Sequence, residues 1–410
     1  MTSHTTSAEQ LVQLDPRDLP QRLWDVAIVG AGPAGSIAAL RLARRGHRVL
    51  LLERRRFPRD KACGDGLIPD ALNCLERNGL YGRIVPLGRR SSTVTFWSPS
   101  RIACDFSGEF VCVKRAILDA ELAAAAVEAG AALCHARVEA LEPDSEGVRV
   151  AIGSRAGPPL CARYALVASG ADVSLLRPHG MVERPEPSAV ALRCYMRSEF
   201  EIDRLVVSLD RSLLPGYAWI FPVGEGEYNV GCGVISQSLR TKKVDLRAML
   251  DCFLREFPLA RELHARATHA GPVRGAQLRC GLAGTRVWDG GRILASGESL
   301  GATFPFSGEG IGKAMETAEM AADFLDAALT DGGPEALAGY GERLHAELRP
   351  RYLGYEVAER WLSRRWVGDL VMRRARRSPA VRAAFEGVFT ETVDPRRVFS
   401  LPGLLRLLIG

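Results

Sequence analysis

The chain has 410 residues, 47% hydrophobic and 25% charged, as in a globular protein long enough for two or three buried cores. No run of roughly eighteen uninterrupted apolar residues occurs, so a membrane-spanning helix is excluded. The net charge of +6 sits at one end: 13 arginines and 6 acids fall between Arg349 and Gly410, and the rest is near neutral. The ten cysteines include no CxxC pair, which argues against a zinc site or disulfide framework; no metal is expected, and reduced thiols in a cytoplasm fit better.

Met1 to Pro20 is Ser/Thr-rich without an apolar core, and is expected to be a loose extension rather than a secretory signal. The apolar run Asp25-Val26-Ala27-Ile28-Val29 then ends in Gly30-x-Gly32-x-x-Gly35, a helical pattern follows, and Val49 to Leu52 closes on Glu53 and Arg54. Gly30 permits the tight turn, and Gly32 with Pro33 and Ala34 lets the backbone approach a pyrophosphate. Gly35 lets the helix lie close to the strand. The helix N-terminus turns its positive end to the phosphates, and Glu53 can accept hydrogen bonds from a ribose. Strand, glycines, helix, strand and acid in register predict dinucleotide binding.

The loop Arg59-Asp60-Lys61-Ala62-Cys63-Gly64-Asp65-Gly66 suits a segment lying against a ligand, with charged groups able to tune Cys63; an ordinary surface turn and a small buried thiol are the alternatives. Leu67 to Leu80 reads as a helix stopped at Asn78-Gly79, and Arg115 to Gly130 as an Ala-rich helix. Val138 to Val150 reads as a β-ribbon and Tyr164 to Ser169 as a short strand. From Ala189 to about Arg279 the pattern alternates as in an antiparallel sheet. Gly291 to Ser296 is a buried strand, Gly310 to Leu329 a long helix, and basic helices close the chain.

Within the alternating region, Tyr217-Ala218-Trp219-Ile220-Phe221-Pro222 and Tyr228-Asn229-Val230-Gly231-Cys232-Gly233 read as a hairpin. Alternation puts Tyr217, Trp219 and Phe221 on one face, opposite Gly231 and Gly233, where side-chain space is free. This wall borders an apolar cavity or is simply core. A second glycine loop, Gly297-Glu298-Ser299 with Pro305-Phe306-Ser307-Gly308-Glu309-Gly310-Ile311, precedes the long helix and offers backbone donors to an anion. Two such loops point to FAD, one for its pyrophosphate and one for its ring.

Together and in this order, these motifs resemble the geranylgeranyl reductase family of FAD flavoproteins, which share the para-hydroxybenzoate hydroxylase fold. The resemblance runs from about Trp24 to Asp326 and rests on the Gly30 fingerprint with Glu53, PRDKACGDG, the YAWIFP…YNVGCG hairpin and PFSGEGI. It implies an α/β architecture: a Rossmann-like FAD-binding domain (21–84, 111–185, 285–345) interrupted by an antiparallel-sheet substrate domain (85–110, 186–284). A basic helical region (346–410) follows, and 1–20 is the flexible extension.

The resemblance further implies that Gly30, Gly32, Gly35 and Glu53 hold the ADP part of FAD, with Arg115 near the phosphates and Glu298 facing the ribityl chain. Arg54, Gly64, Asp172 and Gly297 are counted with this cofactor set. Gly308, Gly310 and Ile311 would present N–H groups to the isoalloxazine, and Cys63 would lie near the flavin. Tyr217, Trp219 and Phe221, with Gly231, Gly233 and Pro305, would border the substrate; Cys63, Tyr217 and Trp219 are the catalytic candidates. The implied activity is reduction of isolated C=C bonds in a prenyl chain or other polyunsaturated apolar substrate.

Where the family commonly has Gly-Ala-Asp-Gly, this chain has Gly170-Ala171-Asp172-Val173, which weakens direct reduction by NAD(P)H and leaves ferredoxin or a separate flavin reductase as the electron-donor protein. The same fold and loops would also serve an FAD monooxygenase acting on a lipid or natural-product scaffold, or a flavin-binding protein without turnover. The basic, aromatic tail suggests a cytoplasmic protein touching the membrane periphery, with solvated arginine helices as the alternative. Nucleic acid is not an expected partner, for no binding motif accompanies the charge.

Overall fold

The computed structural model describes residues 11–153, 159–214, 216–235, 244–362, 364–400 and 403. The closing Leu404 to Ile409 run lies outside them, as do residues 1–10 and the side chains of Trp361 and Phe399.

Two sheets organise the molecule. The first runs Ala132–His135, Val49–Glu53, Leu23–Val29, Leu160–Val167, Val148–Ile152, Val138–Pro143, with Ile293–Ala295 beside the end of Leu160–Val167. Its central pairings are parallel: Val26 faces Val49 on one side and Tyr164 on the other. Both faces are covered, so Val49–Glu53 is buried throughout and reads as an unbroken apolar run rather than an alternation. Helix Pro33–Arg44 touches helices Arg115–Glu128 and Ile311–Ala327 in the covering layer. The strand predicted over Tyr164 to Ser169 runs from Leu160 to Val167, beginning earlier and ending two residues sooner.

The second sheet runs Ala267–Ala270, Ala189–Ser198, Glu227–Ile235, Gly216–Gly224, Leu205–Ser208, Arg89–Trp97, Ala103–Cys112, Gly66–Leu67, with Arg274–Leu278 also on Ala189–Ser198. It departs from the expected antiparallel pattern at one place, because Leu205–Ser208 lies parallel to Arg89–Trp97. The hairpin forms as expected, pairing Tyr217 with Gly233 and Trp219 with Gly231. Not everything between Ala189 and Arg279 is strand. Leu246–Glu256 and Pro258–Ala265 are helices, the first capped by the Asp245 carboxylate on the Arg247 and Ala248 N–H groups. They bury Phe253 and Phe257 in a separate core against the sheet, so tertiary burial there is helical.

Other expectations shift at their ends. The Leu67 helix begins at Pro69, whose ring suits a first helical position, and Gly66–Leu67 pairs with Ala103–Cys112 instead. The Gly310 helix spans Ile311–Ala327 and relaxes into a π-turn over Ala328–Gly332. The stretch from Leu11 is not loose. Leu14 bridges Cys134 in parallel, accepting the His135 N–H on its carbonyl, and Leu19 is buried, so sheet pairing and apolar burial hold it.

Helices Gly339–Leu362, Arg365–Arg377, Pro379–Phe389 and Pro395–Phe399 close the chain. Phe385 and Phe389 pack on Phe106, and Phe389 stacks on Phe96 at 5.5 Å, fixing this basic region to the Arg89–Trp97 and Ala103–Cys112 strands. Trp366 stays 60% exposed. Among the described residues no helix is long and apolar enough to cross a membrane.

Candidate active site

The first glycine loop is built for close approach. Gly30 has φ +102°, and a Cβ there would run into the Ala168 carbonyl; one at Gly35 would run into the Gly30 carbonyl. Gly32 caps helix Pro33–Arg44 without a side-chain hydrogen bond, which leaves the first N–H groups free to meet a phosphate. A Cβ on Gly32 would stand 3.8 Å from Arg115 Nη2 and 3.9 Å from Arg59 Nη2, so two guanidinium groups flank the approach. Arg115 pairs with Asp119 at 2.7 and 2.8 Å, and Arg59 bonds Asp119 at 2.8 Å and Glu53 at 3.0 Å. Burial alone would raise the Asp119 carboxyl, but Arg115 and Arg59 hold it below its ordinary value.

The buried Nε of Arg59 has no partner. An unsatisfied buried donor beside an uncapped helix N-terminus is what an incoming pyrophosphate would satisfy, so these residues fit FAD. Arg59 and Asp119 were not singled out for this role from the sequence; only their place beside Gly32 reveals it. Glu53 already takes the Ala31 N–H at 3.2 Å, and Arg54 pairs with Asp172 at 3.3 Å on the same rim.

One cavity of about 1340 Å³ runs from this groove into the second sheet. Gly308, Gly310 and Ile311 line it, and Gly310 caps helix Ile311–Ala327 without a side-chain bond, so this second N-terminus also faces the cavity with free donors. Gly308 has φ +74°, and a Cβ there would come within 2.5 Å of the Tyr217 hydroxyl, which donates to the Ser307 carbonyl at 2.8 Å. The aromatic wall therefore stands directly on the ring-binding loop. Tyr217 and Trp219 centroids lie 5.9 Å apart, and Trp219 and Phe221 6.3 Å. Gly64 tucks under this wall, with room for a Cβ only 3.3 Å from the Phe221 ring, so the Cys63 loop and the hairpin meet.

Behind Cys63 lies a buried polar network that sequence reading missed. Asn229 takes the Trp219 indole N–H at 2.9 Å and donates to the Cys63 carbonyl at 2.7 Å and to Asp65 at 2.8 Å; Tyr195 donates to the same carboxyl at 2.6 Å. Burial pushes Asp65 up to about 6 against these bonds. Asp65 holds a left-handed backbone, φ 65°, and accepts the Arg115 N–H, which fixes the Cys63 loop to the phosphate end. Asn229 lay within the quoted hairpin; its position opposite Phe221 was the signal.

Most predicted residues line the cavity: Pro33, Ala34, Cys63, Gly64, Asp172 and Glu298 do, as do Tyr217, Trp219, Phe221 and Gly233. Four do not. Gly35 serves helix packing; Gly297, φ +71°, packs on Ala34; and Pro305 is buried away from the lining. Gly231 is corrected for a physical reason: Trp219 itself fills the space above it, so no ligand can. Glu298, on the cavity lining, accepts from Lys61 Nζ at 3.3 Å. The far arm of the cavity is apolar, bounded by Phe96, Phe106, Val207, Met372 and Phe389, so the closing helices form its outer wall.

Residues 24–192 match the FAD binding domain model, and residues 188–269 match the geranylgeranyl reductase catalytic domain. A menaquinone reductase of Mycobacterium tuberculosis is 33% identical over 315 residues, spanning 74% of this chain and 76% of that protein. Digeranylgeranylglycerophospholipid reductase 1 of Methanopyrus kandleri is 30% identical over 82% of this chain and 90% of its own length. A geranylgeranyl bacteriochlorophyll reductase-like protein of Thermoplasma acidophilum superposes with a TM-score of 0.73 over 94% of this chain and 96% of that one, at 20% identity. With the two glycine loops, the aromatic wall and these matches in agreement, the chain belongs to the geranylgeranyl reductase family and is an FAD-dependent oxidoreductase.

Proposed function

We propose that this enzyme reduces isolated carbon–carbon double bonds of a prenyl chain or another polyunsaturated apolar substrate. The observation that carries the reading is the continuity of the FAD groove with an apolar arm bounded by Phe96, Phe106 and Phe389. FAD, once reduced, supplies the hydride equivalent. Arg59, Arg115 and Gly32 would hold its diphosphate, and Gly308, Gly310 and Ile311 its ring. Tyr217, Trp219 and Phe221 would orient the alkene and keep water from it. Relatives named for a quinone and for glycerophospholipids bearing geranylgeranyl chains support the substrate class. A protein electron donor, ferredoxin or a flavin reductase, and NAD(P)H are the candidates for recharging the flavin. Exposed Trp366 on the arginine-rich Arg365–Arg377 helix, whose Met372 lines the apolar arm, supports loading from an anionic membrane surface.

The test is mass spectrometry of a polyprenyl panel, including a menaquinone, incubated with chemically reduced holoprotein with and without oxygen. Products heavier by pairs of hydrogens in the absence of oxygen are expected. Products that gain oxygen atoms, and only in air, would replace this reading with a monooxygenase.

A further inference from the structure

Alkene reduction needs a proton as well as a hydride, and the aromatic wall does not offer one. The Tyr217 hydroxyl already donates to the Ser307 carbonyl, and burial drives it well above the ordinary phenol range; the Trp219 indole N–H is committed to Asn229. Glu309 stands between Gly308 and Gly310 in the ring-binding loop and lines the same cavity. As a residue it is part-exposed, yet its Oε2 is sealed from solvent and has no hydrogen-bond partner. An ionised carboxylate with that oxygen sealed would leave charge uncompensated, whereas a protonated one is neutral, and the part-exposed residue borders the cavity where the alkene would lie.

From this placement we propose that Glu309 is protonated in the resting site and is the acid that completes reduction of the alkene. This rests on the alkene-reductase reading above. The π pair of the alkene takes the Glu309 proton to form one C–H bond, while the hydride equivalent of reduced FAD forms the other. Glu309 is left as a carboxylate and regains its proton from water that enters the cavity when the product leaves, and the oxidised flavin is recharged with two electrons by its external donor.

The electrostatics agree. Burial, reinforced by Asp70 on helix Pro69–Arg77 and by Glu391 in the closing region, pushes Glu309 up to about 8, against the pull of Ser307 and of Lys313 on the following helix. Tyr217 and Tyr355 face it from the hairpin and the Gly339–Leu362 helix, both held neutral by burial. The acid is therefore protonated at neutral pH and lost as pH rises through about 8. A group titrating there is matched to proton transfer near neutrality.

Glu309→Gln keeps shape and hydrogen-bonding size. The first readout is independent of turnover: the infrared difference spectrum of wild-type minus E309Q holoprotein at pH 7 should contain a protonated-carboxyl C=O band that disappears with a midpoint near pH 8. The second is single-turnover alkene reduction, expected to fall about 100-fold or more in E309Q with FAD still bound. Absence of the band, or a smaller loss with the band present, overturns the proposal. If E309Q does not load FAD, the wild-type single-turnover rate decides instead: it must fall above about pH 8, and a flat profile to pH 9.5 refutes the acid. If wild-type protein reduces no alkene in the panel, the functional reading fails, and the infrared titration alone judges whether Glu309 holds a proton.

Discussion

At the scale of single residues, the site divides groups that hold position from groups with a proton to give. Tyr217 belongs to the first kind, because its hydrogen is spent on the Ser307 carbonyl and its ring backs Gly308. Tyr217→Phe removes one hydrogen bond from a partly covered carbonyl, a loss on the order of 1 kcal/mol. FAD affinity, read by equilibrium flavin fluorescence, should weaken less than about tenfold, and alkene reduction by the loaded variant should persist within that factor. Loss of reduction in a Y217F variant that still binds FAD would instead make the tyrosine the proton donor. Asn229 works through other groups in the same way: it touches the Trp219 ring nitrogen, the Cys63 carbonyl and Asp65, and so keeps the Cys63 loop against the aromatic wall.

At the scale of elements, the close contact between helices Pro69–Arg77 and Ile311–Ala327 depends on the absence of one side chain. A Cβ at Gly312 would run into the Asp70 carboxyl, within 2.6 Å of its Oδ1. Asp70 cannot easily retreat, since it is buried with Lys313 at 3.8 Å, and burial pushes it up to about 7. Gly312→Ala should therefore cost about 1–3 kcal/mol despite its better helix propensity, seen as a lowered Tm of the apoprotein. Gly82→Ala is the control, because open space surrounds that position and its backbone needs no special φ; its Tm should hold or rise. Equal Tm values for the two variants would mean that the helices adjust freely. These contacts mark where sequence reading ends. Gly30, Gly32, Gly35 and Glu53 were legible because a βαβ unit writes its function locally, at fixed spacing. Arg59 on Asp119, Asp70 on Gly312 and Met372 on the apolar arm join positions far apart in the chain, which no local spacing encodes. The Leu246–Glu256 helix was legible in principle: Met249, Leu250, Phe253, Leu254 and Phe257 recur with helical period, but the surrounding strands dominated the pattern.

At the scale of the whole molecule, three chain regions close one cavity. The first sheet supplies the groove for FAD, the second sheet the aromatic wall, and the closing helices the lid of the apolar arm. Met372 is the useful probe of that arm. It is buried and lines the cavity from helix Arg365–Arg377, an element that carries none of the groups assigned to FAD. A tryptophan there would fill arm volume that a long substrate needs, at an overpacking cost of about 1–3 kcal/mol that a large, well-buried protein can absorb. FAD binding should be unchanged, because the groove and the glycine loops are untouched. The competition between substrates should change instead: in a mixture of short and long polyprenyl compounds, M372W should turn over the short ones preferentially, with KM for the long ones raised about tenfold or more, equivalent to roughly 1.4 kcal/mol of lost binding. Unaltered chain-length preference in a folded, FAD-loaded M372W protein would show that the substrate tail leaves the flavin by another route, along the paired Ala189–Ser198 and Arg274–Leu278 strands whose residues also line the cavity.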